Sequence, residues 1–103
     1  MLGVKLICVG KLKEAYWRQA VAEYEKRLRP LCKWELIELP EARLPSEPSQ
    51  AEIDAALEKE GEAILRHAAG KIYPLCIEGK TMDSPGLAKR LAGAMQSPGA
   101  VSF

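Results

Sequence analysis

An apolar run broken by one lysine, Val4-Lys5-Leu6-Ile7-Cys8-Val9, closes on Gly10, and the apolar period changes directly after it. β-Branched and long aliphatic residues in that density suit a strand covered on both faces, so a buried parallel strand is expected. Past the basic loop Lys11-Leu12-Lys13-Glu14, the residues Trp17, Ala20, Val21, Tyr24 and Leu28 recur at helical spacing and draw one apolar face. Arg18, Glu25 and Lys26 fall largely on the opposite face, and Pro30 stops the helix. Strand, glycine, basic loop and amphipathic helix form the first half of a βαβ unit.

The unit repeats along the chain. Residues 32–40 partly alternate and read as a second strand ended by Pro40, followed by a loop that carries Pro45, Ser46, Pro48 and Ser49. Ser49 and Glu52 form a capping-box pair for the next helix. One face of that helix holds Ile53, Ala56, Leu57, Ile64, Leu65 and Ala68. Acidic side chains load its N-terminal half, which suits the macrodipole, and Gly70 ends it. Residues 72–77 read as a third strand, although Pro74 lacks an N–H and argues for a bulge, an edge or a broken ladder there. Ser84 as N-cap with Pro85 at the first helical position opens a third helix through Leu87, Leu91, Ala92 and Met95. A turn at Ser97-Pro98-Gly99 leads into a fourth strand from Ala100.

The order βαβαβαβ implies right-handed crossovers and a parallel sheet, the α/β class. In such sheets ligands sit beyond the carboxyl ends of the strands, here residues 10–13, 40–50 and 78–84. With 103 residues, 48% hydrophobic and 28% charged, the chain is one domain with a modest core. No apolar run reaches the roughly 20 residues of a membrane span, and the start lacks a secretory signal, so no membrane partner and a cytoplasmic location are expected.

Cys8, Cys32 and Cys76 are odd in number and far apart, and His67 is the single histidine, so no metal site is expected. The cysteines read as two buried strand thiols, Cys8 and Cys76, and one at a loop-to-strand junction, Cys32. His67 reads as a helix-end cation rather than a catalytic base. The net charge of +1 conceals an uneven distribution. Residues 1–33 hold eight Lys/Arg against three Glu, residues 34–62 two against nine Asp/Glu, and residues 63–103 five against two. Lys11, Lys13 and Arg18, at the end of the first strand and on the helix after it, are therefore candidate nucleic-acid contacts, with a solvated helix face as the simpler alternative.

Tests for nucleotide and hydrolytic chemistry fail. Gly79-Lys80-Thr81 resembles the tail of a phosphate-binding P-loop, but the pattern needs glycine where Pro74 stands. No G-x-G-x-x-G occurs, and no second histidine is present to build a triad. Glu35 and Glu38 have odd spacing on a strand and point to opposite faces.

The blocks V-G-K-L-K-E-A-Y-W (9–17), A-E-Y-E-K-R-L (22–28), E-L-I-E-L-P (35–40), K-E-G-E-A-I-L (59–65), L-C-I-E-G-K (75–80) and S-P-G-L-A (84–88) carry a resemblance across the whole chain. The sequence resembles the RlmH family of SPOUT-class methyltransferases. The resemblance implies an S-adenosylmethionine-dependent enzyme that methylates N3 of a pseudouridine in large-subunit ribosomal RNA, working as a cytoplasmic homodimer. It further implies a C-terminal trefoil knot holding the cofactor, most of it beyond Phe103. By that comparison, residues 1–103 form one α/β domain incomplete at its C-terminus, expected to be inactive alone and to bind no measurable cofactor. Leu75, with Ile77 and Gly79 beside it, matches the cofactor-contacting segment, Pro74 standing where the family usually has a threonine. The resemblance leaves the catalytic residues unassigned. Methyl transfer from a sulfonium needs in-line positioning more than a covalent nucleophile, so a missing triad does not count against it. The competing reading is a non-enzymatic RNA-binding α/β module.

Overall fold

The computed structural model describes residues 1–96 and 99–103. Ser97 and Pro98, read above as part of a turn, lie outside the described residues. The elements follow in the order β1 (Gly3–Val9), α1 (Ala15–Leu28), β2 (Lys33–Leu39), α2 (Gln50–His67), β3 (Lys71–Ile72), α3 (Ser84–Met95) and β4 (Ala100–Ser102). All four strands run parallel in one sheet of order β2-β1-β4-β3. This is the α/β architecture expected from the alternating pattern.

β1 and β2 pair along their full lengths, from Gly3↔Lys33 to Val9↔Leu39. On its other side β1 pairs with β4, and backbone bonds from Phe103 N–H to the Lys5 carbonyl and from Ile7 N–H to the Phe103 carbonyl, both 2.8 Å, carry that ladder one residue further. The crossover β1→β2 and the crossover β3→β4 run one way across the sheet, and β2→β3 runs the other. Right-handed connections therefore place α2 on the face opposite α1 and α3.

Three sequence expectations are corrected. β1 is central, yet every one of its residues is half-buried rather than buried. The reason is the uneven cover: α2 packs closely over β1 and β2, whereas α1 and α3 stand further off. Lys5 uses the remaining access, reaching the His67 carbonyl at 3.0 Å and Glu35 at 3.9 Å, which puts a cation against the C-terminal end of α2. Among the described residues the buried apolar ones are Leu2, Cys32, Leu39 and Val101.

The third strand is shorter than expected, two residues instead of six. Tyr73 N–H still donates to the Ser102 carbonyl at 2.8 Å, but Pro74 offers no N–H to continue the ladder, and residues 73–77 leave the sheet. Cys76 is consequently exposed rather than a buried strand thiol, while Cys32 is buried at the mouth of β2 and Cys8 is half-buried in β1.

The cap of α3 is the third correction. Asp83, not Ser84, is the N-cap, and its carboxylate accepts from Gly86 N–H at 2.8 Å. The capping box of α2 is present as expected. The Ser49 hydroxyl accepts from Glu52 N–H at 3.2 Å, and the Glu52 carboxylate accepts from Ser49 N–H at 3.1 Å.

Two contacts fix where β3 starts. Gly70 has φ +67°, and a Cβ there would lie within bonding distance of the Ala100 carbonyl oxygen, so no other residue fits without moving backbone. Ser102, 1% exposed, accepts from Ala69 N–H at 2.9 Å and donates to the Ala69 carbonyl at 2.8 Å. The link from α2 into β3 is thereby clamped to β4.

Candidate functional site

The carboxyl edge of the sheet carries all six residues singled out in the sequence, arranged on two of its four strand ends. Lys11 and Lys13 lie in the loop after β1 and are exposed, and Arg18 is exposed in the first turn of α1. Gly10, φ +96°, makes the turn out of β1, and its N–H donates to the Leu39 carbonyl at 2.8 Å, tying the loop to the end of β2. Tyr16 and Trp17 stand beside this loop with ring centroids 5.4 Å apart.

Leu75, Ile77 and Gly79 lie in the irregular segment after β3. The turn that carries them is closed by Gly79 N–H donating to the Cys76 carbonyl at 3.1 Å. Leu75 is 76% exposed and Ile77 fully exposed, so neither is a core residue here. Tyr73, at the root of the segment, stacks on Phe103 at 5.4 Å and an interplanar angle of 19°. Because β4 lies between β1 and β3, the end of β4 at Phe103 separates the basic loop from the 75–79 segment. The fold brings the two groups to one edge and does not bring them into contact.

An adenosyl group needs an apolar wall and a few backbone partners. Leu75 and Ile77 fit the first requirement, presenting exposed aliphatic side chains where α/β sheets bind ligands. The Gly79 N–H is engaged in its own turn, so the polar contacts would come from other groups along the segment.

Acid–base candidates are sparse. Burial first, and the neighbouring Glu38 carboxylate second, push the Cys8 thiol above its ordinary 9.0, which keeps it protonated and unreactive at neutral pH. His67 is the last residue of α2, and its Nδ1 lies 2.9 Å from the Ala63 carbonyl oxygen, a helix-end position.

The structure also holds clefts that sequence reasoning missed. One of about 640 Å³ runs between the 40–45 loop and α2, lined by Glu41, Glu52 and Glu60 and by Arg43, Lys59 and Arg66, and the Glu60 carboxylate accepts from Ala42 N–H at 2.8 Å. Its charges compensate one another. A second, of about 440 Å³, opens at the amino ends of β3 and β4. Its composition could not be read from the sequence, since its walls come from segments joined only by the strand order.

The fold is a parallel α/β sheet with its candidate residues at the carboxyl ends of the strands, and residues 2–103 match the family described as Predicted SPOUT methyltransferase. The chain belongs to that family. It is also 46% identical, over 92 residues, to the ribosomal RNA large subunit methyltransferase H of Ligilactobacillus salivarius (strain UCC118). That match covers 87% of this chain and 58% of the relative, so the chain spans less than two thirds of the relative's length.

Proposed function

We propose that this protein acts in S-adenosylmethionine-dependent methylation of large-subunit ribosomal RNA, at N3 of a pseudouridine. The family match over residues 2–103, with a relative named as a large-subunit methyltransferase, carries the reading. The non-enzymatic RNA-binding module has no observation in its favour beyond the basic loop, which an RNA methyltransferase needs equally.

The bound cofactor would supply an electrophilic methyl group on sulfur. This chain's part is positional: Leu75 and Ile77 form an apolar wall, and the turn at Gly79 sets its direction. Lys11, Lys13 and Arg18 hold RNA phosphates at the end of β1, across β4 from that wall, and their charge makes that grip salt-sensitive. A homodimer in the cytoplasm fits the exposed apolar surface on the helices, where Trp17 and Tyr24 of α1 and Leu57 and Leu65 of α2 remain in solvent. No helix among the described residues is long and apolar enough to cross a membrane.

The test is deletion of the gene in its own host, with large-subunit RNA read by mass spectrometry. Loss of one methyl from N3 of a pseudouridine, restored by the gene, is expected. Unchanged methylation overturns the function. Restoration to full level by a Leu75→Asp copy would instead overturn the cofactor wall alone.

A further inference from the structure

The cleft at the amino ends of β3 and β4 lies on the amino-terminal side of the proposed cofactor wall, with Tyr73 between Lys71 and Leu75 in the chain. Lys71 enters it from the first residue of β3, Lys89 and Arg90 from α3, and Tyr73 from just beyond β3. No carboxylate lines it, in contrast to the larger cleft on α2. Among the described residues the ion pairs are Lys5–Glu35 and Arg27–Glu23, so none of these three cations is neutralised by an acidic side chain. Three like charges gathered in one concavity repel one another and concentrate positive potential there.

Two further observations speak against a bland surface patch. Lys89 and Arg90 are not in the last turn of α3, where a cation would complement the helix dipole. Gly93 follows them at i+4 and i+3, on the same side of the helix, and a Cβ built there meets nothing within 4 Å. Glycine weakens a helix relative to alanine, and here no packing in the chain requires it. Its effect is to leave the helix surface beside the cations bare, together with the small Ala94.

We propose that this cleft is a second RNA-backbone site, in which Lys71, Lys89 and Arg90 take phosphates of the same RNA whose target base lies at the carboxyl edge. The inference rests on the RNA reading above. Charge complementarity selects the partner: an unneutralised cationic concavity open to solvent suits a polyphosphate chain. The Tyr73 ring, with the Lys71 ammonium 5.5 Å from its centroid, adds an aromatic wall. The two sites are separated along the strands. Lys71 is level with Val101 and so with Val4, and Val9 ends β1 before the basic loop, a run of about 17 Å at roughly 3.3 Å per residue. An RNA held by both cationic groups therefore spans that distance across the sheet.

The experiment is fluorescence anisotropy of the chain with a labelled RNA hairpin of about 20 nucleotides, repeated across a salt series. Each phosphate contact contributes roughly 0.7–0.9 to the slope of log affinity against log salt. The triple variant Lys71→Gln, Lys89→Gln, Arg90→Gln alters exposed side chains and is expected to fold, with its slope shallower by about 2 to 3. A separate Lys11→Gln, Lys13→Gln variant should lose its own share, about 1.5 to 2. Parent binding with an unchanged slope in the triple variant overturns the cleft and leaves the RNA reading standing. An unchanged slope together with a dimer lost in sedimentation assigns the cleft to the acidic 34–62 region of a second copy, and also overturns it. Absence of parent binding at low salt overturns both.

Discussion

Replacing Ser102 by alanine removes one oxygen atom from a site that is 1% exposed, and with it both bonds to Ala69. A neutral hydrogen bond contributes a net of about 1 kcal/mol, and a donor or acceptor left unpaired out of water costs about 1–3 kcal/mol. Ala69 itself is half-buried, so water reaches part of the vacated space and the lower range applies. Two lost bonds then give a destabilisation of about 2 kcal/mol, with about 4 kcal/mol as the ceiling. In a domain of this size 1 kcal/mol moves Tm by about 4–8 °C, so a fall of roughly 8–16 °C is expected. Urea denaturation followed by circular dichroism measures it, with the slope against urea unchanged from the parent. A loss below about 0.5 kcal/mol would refute the reasoning, because it would mean that the clamp is replaced by solvent at no cost.

Gly70→Ala meets a harder obstacle, since φ +67° disfavours any side chain and the Ala100 carbonyl occupies the Cβ position. Refolding yield and urea midpoint should both fall below those of Ser102→Ala, and equal stability would show that the 70–100 approach relaxes freely. Thiol alkylation at pH 8 followed by mass spectrometry should label exposed Cys76 ahead of Cys8, because burial holds the Cys8 thiol above 9.0. The sign follows: the folded state favours the neutral thiol, so its contribution to stability is complete below pH 9.0 and declines as pH rises past it. Equal labelling of the two cysteines would contradict this order.

Local chemistry made much of the fold legible. Ser49 and Glu52 announced α2 because a capping box satisfies two backbone donors within four residues, and the 3.6 period of Trp17 to Leu28 announced α1 in the same way. Features that depend on a distant partner were harder. β1 reads as doubly buried from its side chains alone, but burial is decided by how closely helices pack above it, and α1 holds Trp17 and Tyr24 in solvent instead. The 72–77 segment has the composition of a strand, and Pro74 ends the pairing it would need. For Asp83 and Ser84 the side chains are equivalent cap formers one residue apart, so only the Gly86 bond distinguishes them. The placement of the candidate residues was legible as an edge: Lys11, Lys13, Arg18, Leu75, Ile77 and Gly79 share one end of the sheet. The cationic cleft was not, since Lys71 meets Lys89 and Arg90 only after the chain has folded across β4.

The strand order β2-β1-β4-β3 has a temporal side as well as a spatial one. β4 follows β1 and β3 in the chain yet stands between them, and β3 pairs with β4 alone. As the protein is synthesised, β1, α1 and β2 can assemble as a finished unit, while β3 has no edge to join until residues 100–102 exist. Both the segment proposed to meet the cofactor and the cleft proposed to grip RNA hang on that late closure. The nascent chain therefore acquires its frame and the basic loop first, and the 75–79 segment and the cleft only with β4.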